Sequence, residues 1–164
     1  MDYKLLTNSL INEVIDNAKN DKRKRKNYNF HNLSDNVQRM LNAIEPDSYI
    51  RPHKHINPPK IEFFIVLKGK FYVVFFNENG EIYDVVYLDG KKNIGIDIKP
   101  GVIHSLISLK KGGVIFETKD GPYDPSTDKK FPDWAPLENT IESYNYLKKL
   151  KIKAKLFYKL KYKN

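Results

Sequence analysis

Arg51-Pro52-His53-Lys54-His55-Ile56-Asn57-Pro58-Pro59-Lys60-Ile61-Glu62-Phe63-Phe64-Ile65-Val66-Leu67-Lys68-Gly69 is the stretch on which the reading of this chain turns. His53 and His55 are two apart, so on an extended segment their imidazoles project from one face. A turn around Asn57–Pro59 folds the next run back and lets Glu62 lie beside the histidine pair. In Ile61–Leu67 the period of two puts Glu62, Phe64 and Val66 on one face and Ile61, Phe63, Ile65 and Leu67 on the other. Both faces are apolar. That predicts a strand covered on both sides, by the N-terminal helix or by the second subunit of a homodimer.

Outward from this stretch the period of two persists. Strands are predicted over 41–45, 48–55, 61–68, 70–77, 81–88, 94–99, 104–109 and 113–119, separated by turn signals such as Gly69, Asn79-Gly80, Asp89-Gly90, Pro100-Gly101 and Gly112-Gly113. Many short strands with close turns mean a mainly β protein, an antiparallel sandwich or barrel. Leu5, Leu6, Leu10, Ile11, Val14, Ile15 and Ala18 recur at helical spacing and predict an amphipathic helix over 3–19. Lys22–Lys26 reads as solvated loop, and Ser34 and Asp35 as caps of a short helical turn through Met40. The proline-rich stretch 120–138 reads as an ordered loop wrapping the barrel. The expected organisation is an N-terminal helix and linker over 1–35, a barrel with its wrapping loop over 36–138, and a basic tail over 139–164.

Composition narrows the chemistry. The chain has 164 residues and no cysteine, which excludes disulfides, iron–sulfur clusters, thiolate zinc sites and a cysteine nucleophile. No apolar run is long enough for a membrane span, and the acids inside the first apolar stretch exclude a signal peptide. A cytoplasmic protein is the expectation. The formal net charge of +9 is concentrated in eight lysines between Lys148 and Lys163, leaving 21 basic residues against 20 acids elsewhere. The high pI therefore belongs to the tail, and nucleic-acid binding is not expected. From Leu150 the tail alternates apolar residues with lysines. This predicts an extended edge strand, or an attachment to an anionic membrane surface.

A second constellation, Pro100-Gly101-Val102-Ile103-His104, places His104 at the start of a strand beside the barrel mouth. His53, His55, His104 and Glu62 together form a donor set for one divalent transition metal: zinc, iron, manganese or nickel. Such a set leaves positions open for substrate. Arg51 shares the face of His53 and reads as a clamp for an anion or as a rim salt bridge. Glu117, if inward, is a buried acid with a raised pKa suited to proton transfer. Tyr123 completes the candidate catalytic group. Gln38 and Lys60 are weaker candidates, His31 reads as structural and Trp134 as a packing anchor.

The spacing of His53, His55, Glu62 and Gly69 resembles the first cupin motif, and Pro100-Gly101-x-x-His104 resembles the second. Six residues separate His55 from Glu62, where three or four are usual. Ser108 stands where asparagine is common. Val37–Pro46, Phe116-Glu117, Gly121-Pro122-Tyr123 and Trp134-Ala135-Pro136-x-Glu138 are similar to the WbuC family of cupin metalloproteins. The resemblance implies a single-domain jelly-roll barrel with His53, His55, Glu62 and His104 as metal ligands. It also implies a setting in sugar-nucleotide metabolism for O-antigen or other surface polysaccharides, with a sugar or sugar nucleotide as ligand. Two functions follow: an enzyme that isomerises or epimerises a keto-sugar, or a non-catalytic sugar-binding or regulatory module. A ferrous oxygenase uses the same ligands.

Overall fold

The computed structural model describes residues 2–162. Two antiparallel sheets face each other. One has five strands in the order β1 (Arg25–Asn29), β2 (Val37–Ile44), β8 (Gly113–Asp120), β3 (Glu62–Lys68) and β6 (Gly95–Ile98). The other has three, in the order β5 (Ile82–Leu88), β4 (Phe71–Phe76) and β7 (Ile103–Ser108). The non-sequential order of neighbours is that of a jelly roll, as the resemblance implied. Between the sheets Phe64, Val66, Phe71, Val73, Leu106 and Ile115 make the interior core.

Helix α1 (Asn8–Asn20) begins later than the periodicity predicts, because the Thr7 side chain accepts from the Leu10 N–H at 3.1 Å and caps it there. Val14, Ile15 and Ala18 pack on Leu41, Ala43 and Val114, so α1 covers β2 and β8 and not β3. Phe63 and Leu67 on the outer face of β3 stay 39% and 38% exposed, which corrects the expectation that the N-terminal helix covers them. The strands buried on both faces are β4 and β7, and β4 shows why. Phe71, Val73 and Phe75 point into the barrel, and Tyr72, Val74 and Phe76 point outward under a C-terminal helix.

Three further segments differ from expectation. Residues 25–29, read as loop and linker, pair with β2 as an edge strand. The expected helical turn through Met40 is the first half of β2. Its inward residues include Gln38, Met40 and Asn42, and these polar inward positions hide the alternation. Residues 48–55 form no ladder; only His53 and Lys54 make isolated bridges, to His104 and Lys130. At the β3–β4 turn Gly69 adopts φ +90, and a Cβ there would lie 2.9 Å from the Gly113 Cα. Only glycine fits both demands.

The tail is a helix, α2 (Ile141–Lys161), not a strand. Thr140 caps it: its side chain accepts from the Ser143 N–H, and the Ser143 hydroxyl lies 3.2 Å from the Thr140 N–H. Leu150 and Ala154 are buried against the outer face of β4, β5 and β7, with Phe157 and Tyr158 beside them, and Leu147 is buried nearer the N-terminal end of the helix. Ile152, Leu156 and Leu160 point the other way, which is why the apolar residues are spread around the helix. Lys163 lies outside the described residues. No helix among the described residues is long and apolar enough to cross a membrane.

The helix and the strand readings of the tail make opposite predictions for Leu150 and Ile152, which share a face only in a strand. Leu150→Ala should cost about 2–5 kcal/mol in chemical unfolding, whereas Ile152→Ala should stay within about 0.5 kcal/mol.

Candidate metal centre

Backbone pairing brings the two histidine segments together. The His53 N–H donates to the His104 carbonyl at 3.1 Å, and the His104 N–H donates back to the His53 carbonyl at 2.9 Å. The Gly101 N–H donates to the His55 carbonyl at 2.9 Å, so the Pro100-Gly101 turn is tied to the same segment. Glu62 opens β3, opposite Ile98 on one side and Lys119 on the other. The Ile56–Pro59 bridge closes the turn that takes up the long gap between His55 and Glu62. Glu62 therefore still reaches the histidines: its Oε1 lies 3.1 Å from His55 Nε2 and its Oε2 lies 3.0 Å from His104 Nε2. The His53 ring packs 4.7 Å from that of His104 and 5.2 Å from that of His55.

All four side chains are buried, and each ring has its far nitrogen occupied. His53 Nδ1 lies 2.9 Å from the Arg51 carbonyl, His104 Nδ1 lies 3.0 Å from the Val102 carbonyl, and His55 Nδ1 bonds to the Asp128 carbonyl. A carbonyl only accepts, so these bonds assign the proton of a neutral ring to Nδ1 and leave the Nε2 lone pair free. His55 Nε2, Glu62 Oε2 and His104 Nε2 have no hydrogen-bond partner although they are buried. Donor atoms of His53, His55 and Glu62 lie within 4.8 Å of one another. A cation among them satisfies these atoms at once, and the imidazole–carboxylate chemistry suits a divalent transition metal. Burial, with Lys129 and His104 nearby, keeps His53 well below the usual histidine range and so neutral, as a ligand must be. Burial opposes the charge on Glu62, and positive charge at His104 and His55 would outweigh it and hold the carboxyl well below its ordinary value; with the rings neutral, a cation among the donors supplies that charge.

A cavity of about 470 Å³ opens over this cluster, lined by His53, Glu62 and His104 at its base and by Gln38, Asn42, Glu117 and Tyr123 higher up. Glu117 points inward, as one of its two readings required, and accepts from Asn42 Nδ2 at 2.6 Å. Burial, with the Glu62 carboxylate beside it, pushes its pKa up to about 7. Arg51 takes neither of its readings. Its Nε donates to the Ala135 carbonyl at 3.0 Å and its guanidinium lies over the Phe131 ring at 4.6 Å, holding the wrapping loop. His31 is buried with Nδ1 2.9 Å from the Arg39 backbone nitrogen, and Trp134 packs on Phe76 and donates to the Glu78 carbonyl at 2.9 Å.

Sequence reasoning missed Lys119 and Asp128. Lys119 follows Glu117 by two on β8, so alternation alone places it inward. Asp128 had no such signal. It bonds Lys60 Nζ at 3.0 Å and Lys119 Nζ at 2.9 Å, a buried group that fixes the wrapping loop while its own carbonyl orients His55.

The family described as Domain of unknown function (DUF6016) matches residues 6–88, half of the chain. No curated protein sequence matches it. Among solved structures the chain is similar to the capsular polysaccharide assembling protein CapF of Staphylococcus aureus. The identity is 26% and the TM-score 0.57, over 80% of this chain and 32% of that one. CapF with the inhibitor 3-isopropenyl-tropolone gives 27% identity and a TM-score of 0.56, over 68% of this chain and 32% of that one. This chain thus spans 32% of the length of the CapF chains it matches. Oxalate oxidase in complex with the substrate analogue glycolate shares the fold alone, at 14% identity and a TM-score of 0.51, over 83% of this chain and 75% of that one. The fold is the cupin jelly roll.

Two measurements test the centre. Purified protein should carry about one transition ion per chain, and His53→Ala or His104→Ala should each lower affinity in a chelator competition by about tenfold or more. Unchanged metal content in both variants would refute the site. Asp128→Ala keeps the main-chain carbonyl that His55 bonds but leaves the buried Lys60 and Lys119 without their carboxylate, so it should lower stability in urea titrations by about 3–5 kcal/mol. For metal-free protein the raised Glu117 pKa has a definite sign. A carboxyl that binds its proton more tightly when folded loses that stabilisation as pH climbs from about 4.5 through about 7. The stability of wild type relative to Glu117→Gln should fall across that window in urea titrations.

Proposed function

We infer the function of this chain, which belongs to the DUF6016 family, from the floor and the wall of one cavity: a metal-binding cupin that acts on a sugar-derived ligand in surface-polysaccharide synthesis. The observation that carries the reading is the set of three carbonyl-anchored imidazoles and Glu62 converging beneath a cavity whose wall holds a carboxyl poised near neutrality. The similarity to CapF, a capsular polysaccharide assembling protein, supports the setting. In its narrower form the reading is a WbuC-like, cytoplasmic role in O-antigen or related sugar-nucleotide metabolism. The second subunit of a homodimer would cover Ile61, Phe63 and Leu67 on β3.

When bound, the metal supplies a Lewis acid toward an oxygen of the ligand. The residues of the chain do the rest. Glu117 Oε1 and Oε2 can hold or take a proton near neutral pH, as isomerisation or epimerisation beside a carbonyl requires. Asn42 donates to Oε2 and fixes the rotamer of the acid. Lys119, 3.9 Å from Glu117 Oε1 and 4.0 Å from Glu62 Oε1, balances the charge as the proton moves. Tyr123 stands at the outer wall and, with the loop, limits water.

Metal-loaded protein incubated in deuterated water with nucleotide-linked keto-sugars should exchange the hydrogen next to the carbonyl, read by NMR. Glu117→Gln should slow exchange by about 10²–10⁴-fold while keeping the metal and the ligand. Binding without exchange in wild type would replace the enzyme by the sugar-binding or regulatory module.

A further inference from the structure

The outward face of α2 carries a combination seen nowhere else on the two helices. Ile152, Leu156 and Leu160 stand 70%, 56% and 67% exposed along one ridge. Lys148, Lys149, Lys153, Lys155 and Lys159 flank them, all exposed. Asp47 pairs with Lys151 and Asp84 with Lys161 at the edges of α2, and Glu142 stands apart in its first turn, more than one helical turn before Lys148. Among the described residues Lys149, Lys153, Lys155 and Lys159 have no such partner. Helix α1 offers the comparison within the same molecule. Its outward face mixes Glu13, Asp16 and Lys19, with a Lys19–Asp16 pair at 2.8 Å, as a solvated helix does.

We propose that this face of α2 docks on an anionic lipid bilayer. Aliphatic side chains enter the interfacial layer while the flanking lysines meet lipid phosphates, and this geometry needs the helix to lie in the membrane plane and not across it. A second copy is a poor occupant, because a two-fold contact would set the same lysine rows against each other. A nucleic acid is a poor occupant too, because the ridge offers aliphatic groups where bases need aromatic rings to stack on. The basic surface continues past the helix. Lys22 and Arg23 line a groove with Tyr144 and Leu147 of α2, and Arg23 also lines the barrel cavity.

The test is co-sedimentation of the full chain with vesicles. Phosphatidylcholine vesicles with about one third phosphatidylglycerol should pull the protein down, and pure phosphatidylcholine should not. Raising the salt to about 0.5 M should release it. Lysines 149, 153, 155 and 159 changed together to glutamine should weaken binding by about a hundredfold or more. Ile152→Ser, Leu156→Ser and Leu160→Ser together should weaken it as well. Far-UV dichroism and metal content should stay unchanged in both variants, since none of these side chains packs on the barrel. Equal sedimentation with neutral vesicles, or full binding by the lysine variant, would overturn the proposal. So would the absence of binding to the anionic vesicles, and a dimer that the serine variant dissolves would then assign the ridge to a second copy.

Discussion

Two lone pairs aimed at a carboxylate from 3.0 and 3.1 Å are the constraint around which this barrel is arranged. With the Nδ1 positions of the histidines tied to carbonyls, neutral rings at His55 and His104 present acceptors to an acceptor. That is unfavourable in a dry interior unless positive charge lies between them. The surrounding structure is consistent with this need. Lys119 and Lys60 are buried nearby, which is costly for lysine, and both are held by Asp128. The interior thus sets Lys60 and Lys119 against Asp128 and leaves Glu62 facing the histidines and the cation position between them.

The fold was legible wherever the barrel obeys simple alternation. The β4 to β8 strands were predicted within a residue or two of their ends, and the glycine turns fell between them. The signal failed where a residue faces the cavity in place of the core. In β2 the inward residues are Gln38, Met40, Asn42 and Ile44, so the polar members sit where alternation demands apolar ones. Residues 25–29 failed for a related reason. An edge strand of lysine, asparagine and tyrosine carries almost no apolar pattern of its own, and its pairing with β2 decides its state. In the tail the alternation was real in sequence but accidental in space. A helix that packs one side on tyrosines and valines and carries aliphatics on the other mimics the period of a strand.

The site was legible in its donors and not in what holds them. Histidine spacing and the Pro100-Gly101 turn were enough to bring His53, His55, Glu62 and His104 to one place, and the long gap before Glu62 proved to be a turn outside the ladder. The inward direction of Glu117 was one of two open readings, and the pairing of Met40 with Glu117 resolves it by placing both toward the cavity. Asp128 could not be read. It acts through a main-chain oxygen, which any residue has, and through two lysines that approach from β8 and from the turn before β3. Arg51 shows the opposite failure: its spacing from His53 suggested the cavity, but Phe131 and the Ala135 carbonyl hold it on the loop side.

Everything after β8 then acts as one device. The loop leaves the sheet at Asp120, sends Asp128 inward to orient His55, and lays Phe131 against the cavity and under Arg51. It anchors Trp134 against Phe76 and ends where both carboxylate oxygens of Glu138 accept from Arg25 Nη2, at 2.7 and 2.6 Å. Two residues later Thr140 starts α2, which roofs the three-stranded sheet from outside. The outer helix thus touches the elements of the inner site by two packed routes: through Trp134 to the loop that carries Asp128, and through Ile103 of β7, which precedes His104. Leu150 and Ala154 bind the helix to β4, β5 and β7, so its outward ridge rests on the sheet, while Tyr146 near its N-terminal end packs on Trp134 of the loop that orients His55.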